Sequence, residues 1–398
     1  MNNIELMVKS LKGLWVGDCI GNVGQFYYAQ DILKALDEGI AKFGIDNIDP
    51  MGKSFQYSDD TEEAIVLVNH LFNNKKILQD KLAMEWATRY YTRDPDGEIY
   101  GYGLMTRKVL KDIYEGKPWR EANLTFQRGE SPSNIDVLIG DIAHGKSVKD
   151  ALSELRKDGS QKFLPQKVGS CGNGSAMRIP PLGAYFYLSP IEEVVKQATL
   201  SAEPTHCHPE GIAGAIAIAS LAKCISLSEW VYKSEKVLNT NYVTDMDTKK
   251  IYDYILEFIP DSQVKKGILK AKELPLDIPL MKLIEILGNG TYVTCQDTVP
   301  LCVFLTIQAL SLYPLDEMYE KVLIDTCKCF GDVDTNCAIV GGMIGIISSP
   351  PEKWIRYCQP MEGVMGDPLP EITTQRKRTE YNVNKDAIKD ILNNIKEK

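Results

Sequence analysis

Apolar residues recur at intervals of three and four through most long segments of the chain, the spacing that gathers them on one face of a helix. The pattern runs through "TEEAIVLVNHLFNN", "LQDKLAMEWATRYYTR", "GLMTRKVLKDIYEG", "SVKDALSELRKD", "GIAGAIAIASLAKCI", "DTVPLCVFLTIQALSL", "DEMYEKVLIDTCKCF" and "KDAIKDILNNIKE". Alternating strand patterns are scarce, and "GTYVTC" at 290–295 is the best of them. The predicted fold is all-α, with about a dozen helices or more around one core. Two stretches, "CAIVGGMIGII" (337–347) and "GIAGAIAIASLA" (211–222), lack a polar face altogether. Such helices belong inside a protein, and their glycines allow close helix contacts.

The pattern also sets expected boundaries. Residues 1–348 read as the main domain, with a charged helical excursion near 227–275. From Ser348 the "SSPPEKW" punctuation ends it, leaving 349–398 as an appendage with a basic "QRKRTEYN" run and a final amphipathic helix. No repeat of fixed period suggests a solenoid.

Composition narrows the partners. The 398 residues are 44% hydrophobic, ample for a buried core, and the formal net charge is -9. General nucleic-acid binding is not expected of such a chain, because that affinity rests on Lys and Arg neutralising phosphates. No apolar run is expected to reach the roughly 18 residues needed to cross a bilayer. The opening "MNNIELMVKSLKGLWVGDCIG" is interrupted by Glu5, Lys9 and Lys12 and lacks a signal-peptide core. The expectation is a cytoplasmic protein with no membrane partner. Its 10 cysteines form no CxxC pair and sit mostly in apolar segments, so they read as reduced core residues.

Two acidic heads carry the candidate chemistry. In "QYSDDTEEAIVLV" (56–68), Asp59 and Asp60 stand together, followed by Glu62 and Glu63. Asp59 and Glu62 fit a D-x-x-E capping box, and acids in a first turn offset the helix dipole, so capping competes with metal binding. In "FGDVDTN", Asp332 and Asp334 precede the wholly apolar helix, with no Lys or Arg adjacent. A carboxylate buried there must be protonated, paired or coordinated to a cation. If the two heads converge, Asp59, Asp60, Asp332 and Asp334, with the Ser58 and Thr335 hydroxyls, make an oxygen-only set that suits Mg²⁺ or Mn²⁺ rather than zinc. That much charge points to two ions. An EF-hand reading of "DVDTN" fails, since Cys337 stands where Gly is required and Met343 where Glu is. A phosphatase-like D-x-D motif would need a buried parallel strand, and no such alternation surrounds it.

These clusters and three further motifs resemble the ADP-ribosylglycohydrolase family. The matching pieces are "GLWVGDCIG" (13–21), "SDDTE" (58–62), "GSCGNGSAMRIPPLG" (169–183), "THCHPEGIAGAIAIA" (205–219) and "GDVDTNCAIVGGMIG" (331–345), in family order. The resemblance implies an all-helical domain around two Mg²⁺ ions, with Ser58, Asp59, Asp60, Asp332, Asp334 and Thr335 as ligands. It implies removal of ADP-ribose from a modified protein or other acceptor, with ADP-ribose as product and Asp59 or Asp60 as acid or base. The loop Gly169, Ser170, Cys171, Gly172, Asn173, Gly174 is similar to the family's diphosphate loop, whose glycines let backbone N–H groups approach phosphate. As residues alone it could equally be a tight turn. His206 matches a family histidine near the phosphates; an H-x-H zinc pair with His208 lacks a third soft ligand. "EIYGYG" (98–103) resembles a loop lining the ribose cavity, and Asp18 reads as a brace rather than a reacting group. One departure stands out. Where several relatives carry a Glu after the first motif, "GQFYYAQD" offers Tyr28, with Asp31 the nearest acid, which leaves open a different base or a non-catalytic ADP-ribose sensor.

Overall fold

Helices occupy the six expected segments that fall among the described residues. The computed structural model describes residues 2–24, 55–97, 99–124, 169–234 and 248–365. In chain order they form α1 (Asn3–Gly24), α2 (Asp59–Asn74), α3 (Gln79–Arg93), α4 (Leu104–Tyr114), α5 (Trp119–Ala122), α6 (Gly174–Met177), α7 (Pro180–Tyr185) and α8 (Ile191–Ala202). There follow α9 (Pro209–Ser234), α10 (Thr248–Phe258), α11 (Gln263–Glu273), α12 (Leu280–Leu287), α13 (Cys295–Leu312), α14 (Met318–Cys327), α15 (Val333–Ile344) and α16 (Glu352–Ile355). Among the described residues there is no β-strand, only the isolated bridges Phe55–Cys358 and Gly172–Thr294. The fold is all-α.

The apolar helix α15 is the axis of the site. It packs along α1 and touches α2, α6, α7, α13 and α14. Gly13, Gly17 and Gly21 share one face of α1, and this face meets the α15 backbone. A β-carbon on Gly13 would lie 2.2 Å from the Gly341 carbonyl oxygen, and one on Gly21 would lie 2.6 Å from the Asp334 α-carbon. Only glycine permits that approach. Because Gly21 meets the first turn of α15, the "GD" motif of α1 is drawn to the acidic head of α15.

The other apolar helix, α9, packs on α7, α8 and α13. Contrary to expectation, two segments are long and apolar enough to cross a membrane, Pro209–Leu227 and Cys295–Leu312, and each tolerates a few polar residues. Both are 78% buried inside the fold, the signature of core helices. The predicted strand at 290–295 is instead a turn leading into α13. Gly290 has φ +86° and Val293 φ +53°, and the Val293 N–H donates to the Gly290 carbonyl. Only Thr294 keeps a bridge.

Within the stretch expected as an excursion, α10 and α11 bury Ile251, Ile255, Val264 and Ile268 and pack on α9 and α13; 235–247 lie outside the described residues. Past the expected boundary at 348, the chain still belongs to the body. Trp354 is buried, the Gln359 N–H donates to the Phe55 carbonyl, and the Gln359 carbonyl accepts from Trp15 Nε1. The "QRKRTEYN" run and the final helix of the expected appendage lie outside the described residues, as does "SVKDALSELRKD". All cysteines are free and most are buried.

Candidate active site

The head of α2 is fixed from α1. Asp18 is fully buried and accepts hydrogen bonds from the Ser58 N–H (2.9 Å), the Thr61 N–H (3.1 Å) and the Thr61 hydroxyl (2.5 Å). The brace expected of Asp18 is thus a carboxylate that caps a neighbouring helix. Ser58 is the N-cap proper, accepting from the Asp60 N–H, while its hydroxyl donates to Asp60 Oδ2 at 2.7 Å. The D-x-x-E capping box does not form. Asp59 is the first helical residue, and its N–H donates to the Tyr100 carbonyl, so the 99–103 segment lies against it.

Glu62 and Glu63 do not cap either; both are buried in ion pairs that single-helix spacing could not reveal. Glu62 is held by Arg89 (2.5 Å), Arg93 (3.1 Å) and the Tyr57 hydroxyl (2.9 Å). Glu63 accepts from Arg178 at 2.6 Å, and Arg178 is itself fully buried. Sequence reasoning missed Arg178. Its signal was a cation in the apolar run "SAMRIPPLG" with no adjacent acid.

Asp332 occupies the N-cap position of α15 without a side-chain capping bond, and Asp334 sits in the first turn. The approach is tight: the Gly331 φ is +77°, and a β-carbon there would lie 2.2 Å from the Asn289 carbonyl oxygen. Asn173 Nδ2 donates to Asp332 Oδ2 at 2.6 Å and to Thr298 Oγ1 at 2.9 Å, tying the glycine loop to this acidic head. Thr335 is buried, and its N–H donates to Asp334 Oδ1.

The acids of the two heads lie near enough to raise one another's proton affinity. Burial pushes the Asp18 carboxyl up to about 7, Asp334 adding to the rise while bonds from Thr61 and Ser58 oppose it. Asp59 is driven well above the carboxylate range by desolvation, then by Glu63, Asp334, Asp18 and Asp332. Asp60 is driven up by desolvation, Asp18, Asp334 and Asp59, and Asp332 by desolvation and Asp334. The neighbours that raise these groups are other acids. Asp60 Oδ1 is buried with no hydrogen-bond partner. A crowded, desolvated set of oxygen donors with one orphaned carboxylate oxygen is chemically suited to a hard cation. Among the described residues no three His, Cys, Asp or Glu stand close enough together to hold a metal ion as they are placed. Asp60 Oδ2 accepts from the Ser58 hydroxyl and Asp332 Oδ2 from Asn173 Nδ2.

The loop 169–174 lies against the α15 head through Asn173. Gly169 has φ +72° and abuts Cys207, while the Gly172 N–H is taken by Ser170 Oγ (3.1 Å) and the Asn173 N–H by the Val293 carbonyl (3.2 Å). The Cys171 carbonyl accepts from Cys295. His206 is buried against Gly172 and Gly174, and burial, aided by Arg178, pushes its imidazole down to about 3. It is neutral. His208 Nδ1 accepts from the Glu210 N–H. Tyr28, Asp31 and Glu98 lie outside the described residues.

A family model described as ADP-ribosylglycohydrolase matches residues 2–382. The chain belongs to the ADP-ribosylglycohydrolase family. Among curated members similar to it, the ADP-ribosylhydrolase ARH3 of Homo sapiens is 24% identical over 373 residues, covering 88% of each chain. The protein of the same name from Gallus gallus is 24% identical over 390 residues, covering 92% of this chain and 93% of that one. An uncharacterized protein of Archaeoglobus fulgidus is 26% identical over 185 residues, covering 46% of this chain and 52% of that one. A solved ADP-ribosylglycohydrolase-related protein complex aligns with a TM-score of 0.49 at 16% identity, covering 90% of this chain and 93% of that one.

Proposed function

We propose that this member of the family is a metal-dependent hydrolase that cleaves the glycosidic bond between ADP-ribose and a modified protein or other acceptor. The observation that carries the reading is the convergence of Asp18, Asp59, Asp60, Asp332 and Asp334 from α1, α2 and α15, with Asp60 Oδ1 left orphaned. In this reading Ser58, Asp59, Asp60, Asp332, Asp334 and Thr335 hold two Mg²⁺ or Mn²⁺ ions. Bound there, the ions would supply ribose hydroxyl chelation and an activated water.

The chain's own groups do the rest. Glycosidic cleavage passes through an oxocarbenium-like state, so a proton must reach the leaving group and water must be held at C1. Asp59 is half-buried beside the Tyr100–Gly103 segment, and its raised affinity for a proton equips it as the acid or base; Asp60 is the other candidate. The loop Gly169–Gly174 with His206 would anchor the diphosphate remotely, so that binding energy orients the ribose over the carboxylates.

The test is incubation with mono-ADP-ribosylated arginine and serine peptides plus Mg²⁺, with an EDTA control. Release of ADP-ribose that chelation stops supports the reading. Asp59→Ala and Asp334→Ala should both abolish release. Tight binding of ADP-ribose without release from any substrate would overturn hydrolysis in favour of a sensor.

A further inference from the structure

His206 sits at the end of a chain of side chains leading back to α2. Its Nδ1 lies 2.8 Å from Thr205 Oγ1, and Thr205 Oγ1 lies 2.8 Å from Arg178 Nη2. Arg178 donates from Nη1 to Glu63 Oε2 (2.6 Å) and from Nη2 to the Ser201 carbonyl (3.0 Å). Its guanidinium lies 3.8 Å from the centre of the Trp86 ring, whose Nε1–H donates to the Glu63 carbonyl. Both Arg178 Nη atoms are thereby engaged, while Arg178 Nε and Glu63 Oε1 are buried without a hydrogen-bond partner.

The direction of the protons follows. A guanidinium can only donate, so Thr205 accepts from Arg178. Thr205 is 1% exposed, and its own hydroxyl proton needs an acceptor inside the protein. Among the described residues that acceptor is His206 Nδ1. An Nδ1 that accepts carries no hydrogen, so the neutral ring carries its proton on Nε2. The reverse tautomer would make Thr205 accept twice and strand its buried O–H, a bias of about tenfold or more.

Nε2 is the nitrogen turned toward the glycine loop. A β-carbon on Gly174 would lie 2.8 Å from it and one on Gly172 would lie 3.3 Å from it. Both glycines keep the space before Nε2 open, and among the described residues Nε2 makes no hydrogen bond of its own.

We propose that Glu63, Arg178 and Thr205 form a positioning relay that locks His206 as its Nε2–H tautomer, giving the 169–174 loop a fixed, neutral donor for a diphosphate oxygen. The inference rests on the reading of that loop as the diphosphate site. The relay joins α2, which carries the acidic head, to the anion end of the cavity, and it explains how an acidic protein presents a side-chain donor to an anion without a positive charge. Thr205 and Arg178 touch no substrate; they act through His206.

The test is a long-range ¹H–¹⁵N spectrum of the full chain labelled at its 4 histidines, with His206→Gln for assignment. At neutral pH, without ligand, His206 should show a bare Nδ1 and a protonated Nε2. Saturating ADP-ribose should move the Nε2–H signal. Thr205→Val should mix the tautomers and weaken ADP-ribose binding about tenfold, and Thr205→Ser should restore both. A protonated Nδ1 in the wild-type spectrum, or an Nε2–H that saturating ADP-ribose leaves unmoved, overturns the relay. The wild-type spectrum decides even if Thr205→Val does not fold. A reversed tautomer in a protein that still releases ADP-ribose strikes the relay alone, whereas the expected tautomer and ligand shift without release strike the hydrolase reading alone.

Discussion

Gly17 of α1 and Cys337 of α15 are in backbone contact: a β-carbon on Gly17 would lie 2.2 Å from the Cys337 carbonyl oxygen. Gly17 precedes Asp18, and Cys337 lies one turn beyond Asp334. The helix contact and the meeting of the two acids are therefore one feature of the fold.

Gly17→Ala should force α1 off α15, because the clash is with backbone and no rotamer relieves it. Overpacking of this kind costs about 1–3 kcal/mol. Urea denaturation should show that loss, and divalent-cation affinity should fall with it. A variant of wild-type stability would show that the helices can separate freely at this point.

Much of this was legible in the sequence, though unevenly. Helical periodicity gave α2, α3, α4, α13 and α14, and the absence of polar faces placed α9 and the C-terminal part of α15 inside. The helix α1 carried no comparable signal, since its apolar residues surround the axis without forming a stripe. Asp59, Asp60, Asp332 and Asp334 stood out in the sequence because uncompensated carboxylates beside apolar helices are costly. The capping box weighed for Glu62 did not form and the ion pairs of Glu62 and Glu63 were not foreseen, because their partners Arg89, Arg93 and Arg178 come from other helices and pairing at such separations leaves no local pattern. "GTYVTC" was misread as a strand because alternation over so few residues cannot register the positive φ of Gly290 and Val293.

The Glu63–Arg178 pair makes a stability prediction. Arg178→Met alone leaves the Glu63 carboxylate buried and unpaired, at a cost of about 3–5 kcal/mol. Adding Glu63→Leu should recover most of the loss, and a thermodynamic cycle of denaturation midpoints measures the coupling. Equal stability of the single and double variants would mean that the pair contributes no coupling.

His206 makes a pH prediction. Its folded-state value, near 3, lies below its ordinary 6.5, so between these limits the unfolded chain binds a proton that the folded chain refuses. Stability from this group is complete above about pH 6.5 and is lost as the pH falls toward 3. His206→Asn should flatten the acid limb of a stability profile taken through that window. An unchanged limb would place the acid sensitivity elsewhere.

The proposed function requires that the acidic heads of α2 and α15 together bind divalent cations. Equilibrium titration of the purified full chain with Mn²⁺, followed by the signal of free Mn²⁺, tests that directly. Two ions bound per chain, with binding lost in both Asp60→Ala and Asp334→Ala, is the predicted result. No binding by the wild type, or binding that survives both substitutions, would contradict it.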